Sequence, residues 1–309
     1  MAEPLLEAIW RGTPDDQDAQ RLISVIEKGW LPPDKAGILV WGGHTKRFST
    51  QSFYNLVECV LRTESDQAAR SVLSLVHQRL DYQPEDIERL EPLAWEALEK
   101  TLPSRSDTMG RHEWIQVARR YAPRAPVRVV RLFLSLFDTD TAPIRKEEPF
   151  TVTLTEATRL DPEGAWHEVG SALLEKGEKA LRLRFYLRGW YAALFEPESI
   201  LCWAEIHKPQ GPRIVAELTP MEGESLHPLA RELLIRYSQD KGVVSALSGN
   251  FVTGSWWGSF ANWLESHLKL AREWAKDPHP AIRAWAQREV ESLERQIQEA
   301  RREEEEEDW

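Results

Sequence analysis

Cysteine is almost missing from this chain: 309 residues contain two, Cys59 and Cys202. They lie far apart, in neither a paired framework nor a metal-ligand spacing. That excludes a disulfide-stapled scaffold and points to a reducing cytoplasm, with both thiols in the core. Long apolar runs are missing as well. No stretch approaches the ~20 apolar residues of a membrane span, and the opening MAEPLLEAIWRG lacks the basic start and continuous apolar core of a secretory signal. The expectation is a soluble, cytoplasmic protein with no membrane contact. Alternation of apolar and polar residues, the mark of half-buried strands, is scarce. Positive charge is in deficit, at a net of -11. From Arg288 to Asp308 ten acidic residues face four basic ones, a local net of -6, so more than half of the acidity belongs to the end of the chain. The remainder argues against a general nucleic-acid surface, while leaving room for one local basic strip.

Signatures of chemistry are equally thin. GGHTK, residues 42 to 46, offers glycines and a lysine, but a phosphate loop needs a longer arc with Ser or Thr directly after the lysine, and here Arg47 follows. His167-Glu168 begins like a zinc-protease motif, yet Ser171 stands where the second histidine is needed. The eight histidines form no metal pair at helical spacing. The expectation is therefore no metal, no cofactor and no catalysis, although a set of residues assembled from distant loops leaves no local trace.

What the chain has is helical periodicity. Ala69, Val72, Leu73, Val76 and Leu80 form one apolar stripe, and Ile282, Ala286, Val290, Leu293 and Ile297 form another. Prolines punctuate the chain at short intervals, so many helices of modest length are expected. A helix from Pro33 capped by Gly42 and Gly43 is one of them. Fourteen tryptophans are many, and those with helix-periodic neighbours, such as Trp95, Trp166 and Trp285, read as wedges between helix layers. Two basic clusters, Arg119 to Arg131 and Arg182, Arg184 and Arg188, read as solvated faces that a ridge of acidic protein or nucleic acid could meet. TGSWWGS, residues 253 to 259, puts Trp256 and Trp257 in a glycine-rich turn between one helix capped by Gly249-Asn250 and another starting near Ser259. Such a turn can aim the two indoles separately, one into the gap between repeats and one partly outward, the alternative being that both are buried.

EWAKDPHPAIRAWAQREVESL, residues 273 to 293, ends a helix, turns through Asp277-Pro278 and opens another at Ile282-Arg283 with Ala286 beyond. This resembles the HEAT repeat, whose inter-helix signature is an aspartate and proline turn, an aliphatic-arginine pair and then alanine. Weaker echoes occur at 239 to 247, 122 to 134 and 65 to 73. With DPEGAW (161 to 166) and the run from 229 to 259, the second half resembles the C-terminal helical regions of bacterial signalling-NTPase and anti-phage defence proteins. The resemblance implies an all-α fold, an α-solenoid of HEAT-like helical hairpins, with one repeat half at 1–145, a second at 146–302 and an acidic tail at 303–309. It implies recognition: a non-catalytic module or scaffold that binds a protein partner, with Trp256 and Trp257 as the candidate contact residues. The alternatives are a nucleic-acid-binding solenoid, or an enzyme whose site is non-local. Asp277 is expected to brace the last hairpin with Arg283 nearby, and residues 303 to 308 are expected to fray.

Overall fold

Prolines and small polar side chains decide where the helices begin. A computed structural model describes residues 12–32, 35, 44–63, 65–103, 108–138, 148–221 and 223–307. Among these there are fifteen α-helices and four 3-10 turns, with no strand. In the first part of the chain lie α1 (Asp16–Glu27), α2 (Thr50–Leu61), α3 (Asp66–Tyr82), α4 (Ile87–Lys100), α5 (Thr108–Tyr121), α6 (Pro126–Ser135) and α7 (Glu148–Leu160). They are followed by α8 (Pro162–Leu174), α9 (Glu178–Leu187), α10 (Pro197–Ile206), α11 (Gln210–Leu218), α12 (Pro228–Tyr237), α13 (Lys241–Phe251), α14 (Phe260–Trp274) and α15 (Pro280–Glu307). Pro126, Pro162, Pro197, Pro228 and Pro280 each open a helix, where the missing N–H is not needed and φ is preset. Elsewhere a side chain accepts from the free amides. Ser65 Oγ receives Ala68 N at 3.4 Å, and Asp240 Oδ1 receives Gly242 N at 2.8 Å. The helix expected from Pro33 to Gly43 lies outside the described residues.

The chain divides into two compact units, 1–161 and 162–309. Residues 146–161, which the sequence reading gives to the second half, fall in the first unit because α7 packs on α5 and α6. In that unit each helix meets the next along the chain, and α2 meets α4, α3 meets α5 and α5 meets α7. The stripe read from α3 is buried throughout. Around it sit Phe53, Trp95 and Tyr121, with Trp95 and Tyr121 in ring contact at 5.8 Å. One charged pair lies in this core. Arg79, 1% exposed, donates from Nε to Asp86 Oδ2 at 2.6 Å and from Nη1 to the Phe48 carbonyl at 2.9 Å. Thr50 Oγ1 donates to the other Asp86 oxygen at 2.8 Å. The pair thus ties the entry of α2 to the end of α3 and the 3-10 turn before α4. Every exposed arginine of the first basic cluster with a described carboxylate partner is neutralised: Arg119 by Glu156, Arg120 by Asp81, Arg124 by Glu88 and Glu91, and Arg128 by Glu99.

The second unit is also built mainly from contacts between near neighbours in the chain. α9 meets α11, α10 meets α12, and α11 meets α13, while α12 packs on α15 and α14 on α15. Its aromatic centre is Phe251, Trp274 and Trp285, with ring centroids 5.0 to 5.9 Å apart. Of the tryptophans read as wedges, Trp166, Trp274 and Trp285 are buried, and Trp190, Trp203 and Trp263 are half-buried. Cys59 is in the core, but Cys202 is exposed on α10, correcting the expectation of two buried thiols. In the stripe on α15, Ile282, Ala286, Leu293 and Ile297 are buried and Val290 is half-buried. The neighbouring Glu289 is also buried and accepts from Ser248 Oγ.

Asp277 braces the last turn as expected. Its carboxylate accepts from His279 N at 2.8 Å and takes both Nη atoms of Arg231 on α12. Arg283 Nη1 closes the turn by donating to the carbonyls of Asp277 and Pro278 at 2.8 and 2.6 Å. Asp240, one helix pair earlier, does the same work with Arg213 at 3.1 Å.

Two stability predictions follow from these pairs. Arg79→Ala leaves Asp86 buried without its countercharge, and chemical denaturation should register a loss of about 3 to 5 kcal/mol. Asp277→Ala removes a cap and an arginine partner, and should cost about 1 to 2 kcal/mol. The Arg231 guanidinium holds the Asp277 carboxyl below the ordinary aspartate range, against the opposing effect of burial. Its contribution is therefore complete above the ordinary value of 3.8 and lost as pH falls through the lower native value. Equal acid-limb stability profiles for the native protein and Asp277→Ala would contradict this.

Candidate functional site

The turn holding Trp256 and Trp257 is anchored at both ends by contacts from outside it. Upstream, α13 continues through Phe251, so Gly249 and Asn250 are helical residues and not the cap expected from sequence. Asn250 is buried, and its Nδ2 lies 2.9 to 3.0 Å from the carbonyls of Ala216, Glu217 and Thr219. These are acceptors at the end of α11, so one side amide satisfies carbonyls that helix geometry leaves free. Asn250 Oδ1 accepts from Arg188 Nε, and Arg188 Nη2 donates to Thr253 Oγ1 at 3.2 Å. Arg188, singled out in sequence only as part of a basic cluster, therefore holds the first residue of TGSWWGS.

Downstream, Ser259 caps α14 where the sequence reading put its start. Its Oγ accepts from Asn262 N at 3.1 Å. The same hydroxyl donates to Glu304 Oε2 at 2.9 Å, and Ala261 N donates to Glu304 Oε1 at 3.1 Å. A carboxylate 45 residues away thus sits at the positive end of α14. The fraying expected for residues 303 to 308 is corrected in part: α15 is helical through Glu307, and Asp308 and Trp309 lie outside the described residues. Helix persists there because α15 runs antiparallel to α14, with Arg272 on Glu294 at 2.9 Å, Arg301 on Glu265, and Glu304 in the cap. These pairs offset the repulsion among neighbouring glutamates.

Between the anchors, the two indoles go different ways. Trp256 is 47% exposed and lies on an aromatic ledge, 4.5 Å from Phe260 and 5.6 Å from Trp263. Phe260 and Trp263 stack at 5.6 Å, and Trp263 meets His267 at 4.3 Å. Gly254 makes room for this ledge: a Cβ there would stand 3.2 Å from the Trp263 ring. Trp257 is 98% exposed. Gly258 follows it at φ +82°, a conformation that glycine adopts freely and that turns the chain back into α14. The sequence expectation of one outward indole is met by Trp257, while Trp256 covers a surface ledge and does not plug an interior gap. Glu304 and Asn250 carried no local signal, because their partners lie 31 to 62 residues away.

The other motifs engage in ordinary structure. Lys46 Nζ lies 3.3 Å over the Tyr82 ring, and Gly42 and Gly43 are outside the described residues. Ser171 Oγ donates back to the His167 carbonyl at 2.8 Å. Among the described residues, no three His, Cys, Asp or Glu side chains converge as a metal site, and no helix is long and apolar enough to cross a membrane.

The Ala261 amide and the Ser259 hydroxyl hold the Glu304 carboxyl below the ordinary glutamate range. Its cap is therefore complete above 4.5 and lost as pH falls through the lower native value. Glu304→Ala should lower the thermal midpoint near neutral pH and increase acrylamide quenching of tryptophan fluorescence. Glu304→Gln should fall between the two. A truncation after Ala300 should behave like Glu304→Ala or worse; a truncated chain with an unchanged midpoint would remove Glu304 from this account.

No protein-family model matches the chain, and no curated protein or solved structure matches it significantly, so its function rests on its own geometry.

Proposed function

We propose that the chain is a non-catalytic protein-interaction module, an α-solenoid of HEAT-like hairpins whose turn at 253 to 259 contacts a protein partner. The observation that carries this reading is Trp257: an indole 98% exposed beside a second, half-exposed indole on an aromatic ledge. Tryptophan supplies large, rigid contact area at low entropic cost and leads the residues that dominate interfaces. The turn is held at both ends, so little ordering is left to be done on binding. Packing of helices mainly on near neighbours in the chain supports the hairpin array. So does the repeated use of a turn aspartate bound to an arginine of an earlier helix, at Asp240 and Asp277.

The nucleic-acid alternative is disfavoured by charge. Arginines of the first cluster are met by carboxylates, and the base of the turn carries Glu304 with exposed Glu303, Glu305 and Glu306 nearby in the chain. A place in a bacterial defence or signalling system, in the cytoplasm, rests on the sequence resemblance of the second half.

Affinity capture from the native host, with and without nuclease, tests the reading. Trp257→Ala should keep stability within about 0.5 kcal/mol, as expected for an exposed site. The captured protein's affinity should fall roughly ten-fold or more, the behaviour of an interface anchor. Full affinity in Trp256→Ala, Trp257→Ala and the double variant would make the turn structural. Loss of capture on nuclease treatment would transfer the function to nucleic acid.

A further inference from the structure

A second surface, apart from the turn, lies on the face of α9, α11 and α13. α11 packs between the other two and forms the floor of an open cleft of about 440 Å³. One wall is α9, which presents Leu181 and Phe185 one helical turn apart, 63% and 71% exposed. Large apolar side chains this exposed, adjacent on one helix face and lining a concavity, are uncommon on a surface that only meets water. The other wall is α13, whose Gly242, Ser245, Ala246 and Gly249 line the cleft at spacings of three, one and three residues. Those positions share one helix face and extend about 10 Å, two turns of helix. The Arg213 side chain lies against Gly242, so the open part of this wall runs from Ser245 to Gly249, where the side chains are small enough for a second backbone to come close. A smaller cavity of about 220 Å³, sharing Leu181 and Arg184, continues the cleft towards Lys176 and Gln210.

The polar groups in the cleft are mostly cationic. Arg188 spends its Nε and one Nη on Asn250 and Thr253 and faces no carboxylate in hydrogen-bond contact. Arg184 gives one Nη to the Leu173 carbonyl at 2.8 Å, lies 3.8 Å from Glu217, and keeps a buried Nε with no partner. Burial pushes the Glu217 carboxyl above its ordinary range, against the opposing pull of Arg184 and Arg188, and two guanidinium groups stand beside one carboxylate in the lining. Two cations and two exposed apolar anchors, facing a wall of small residues from Ser245 to Gly249, are complementary to one kind of occupant.

We propose that the cleft between α9 and α13 is a docking site for an acidic amphipathic helix of a protein partner. Its apolar face seats on Leu181 and Phe185, and its flanking carboxylates meet Arg184 and Arg188. Helix-in-groove recognition uses anchors at i and i+3 or i+4, which fits the one-turn spacing of Leu181 and Phe185. Guanidinium groups with donors to spare accept carboxylates in paired geometry. The cleft shares Arg188 with the tryptophan turn, which that residue clamps at Thr253, so the substitutions that separate the two sites lie away from Arg188.

A phage-displayed library of helix-forming peptides of about 15 residues, panned against the whole chain, tests it. The probes are the enriched peptides themselves, titrated by fluorescence anisotropy. Enriched sequences should combine apolar residues at i and i+3 or i+4 with Asp or Glu beside them, and should bind more weakly as salt rises. Phe185→Ser and Ser245→Trp should each weaken them roughly ten-fold or more. Both positions are exposed, so the melting curve should stay in place; one variant that folds is enough to decide. Trp257→Ala should leave this binding unchanged. The proposal is overturned if nothing is enriched, if the enriched peptides are basic or lack acidic residues, or if they ignore both cleft substitutions. Binders that depend on Trp257 alone would belong to the turn. Self-association of the chain that Ser245→Trp abolishes would assign the cleft to a second copy.

Discussion

Helices of nine to seventeen residues do not persist alone in water, and fourteen of the fifteen described helices are of that size. Every other feature of the two units follows from this constraint. Each short helix must bury a face against near neighbours in the chain, and each must find partners for the amides and carbonyls at its ends. Local neighbours supply the burial: α3, for example, is covered by α2, α4 and α5. The ends are supplied less locally. Asp277 takes a guanidinium from α12, Asn250 serves the carbonyls of α11, and Glu304 caps α14 from the far end of α15. A polar side chain that satisfies a helix end also fixes which helix lies beside it, so capping here specifies packing.

The same constraint explains where the two proposed binding surfaces arise. Among the described tryptophans, Trp95, Trp114, Trp166, Trp274 and Trp285 are buried between helices, where a large rigid ring fills the space that short helices leave. Trp257 cannot be, because the residues around it are devoted to closing a turn between two anchored ends. The ledge of Trp256, Phe260 and Trp263 gives that turn a stiff base. At the α9 and α13 cleft the opposite occurs: Ser245, Ala246 and Gly249 contribute little or no side chain, and the surface stays concave. A cavity and a protrusion are thus two products of one array, made by absent side chains in one place and an unburied one in another.

Much of this was legible in the chain, and the reason differs by element. The α3 stripe and the Asp277 turn with Arg283 could be read because periodicity and turn chemistry act within a few residues. All-helical content followed from the same local rules. The reading failed where a contact spans the chain. Asn250 resembles a C-cap residue by type, yet its partners belong to α11, more than thirty residues earlier. The glutamates after Arg302 predict repulsion if considered alone, and only the antiparallel pairing with α14 reveals why Glu304 is held. Arg188 lay in a basic cluster whose sequence could not distinguish a solvated face from a clamp on Thr253. The unit boundary moved for a similar reason, since α7 could not be assigned to a neighbour before its packing on α5 and α6 was known.

The central claim is that the tryptophan turn is a held, solvent-facing surface that a protein partner covers. Hydrogen–deuterium exchange of the whole chain, alone and saturated with the captured partner, tests it most directly. The account requires amides from Thr253 to Asn262 to gain protection in the complex, with those of α3 and α4 unchanged. Protection that appears elsewhere and leaves 253 to 262 exchanging as in the free chain would contradict it.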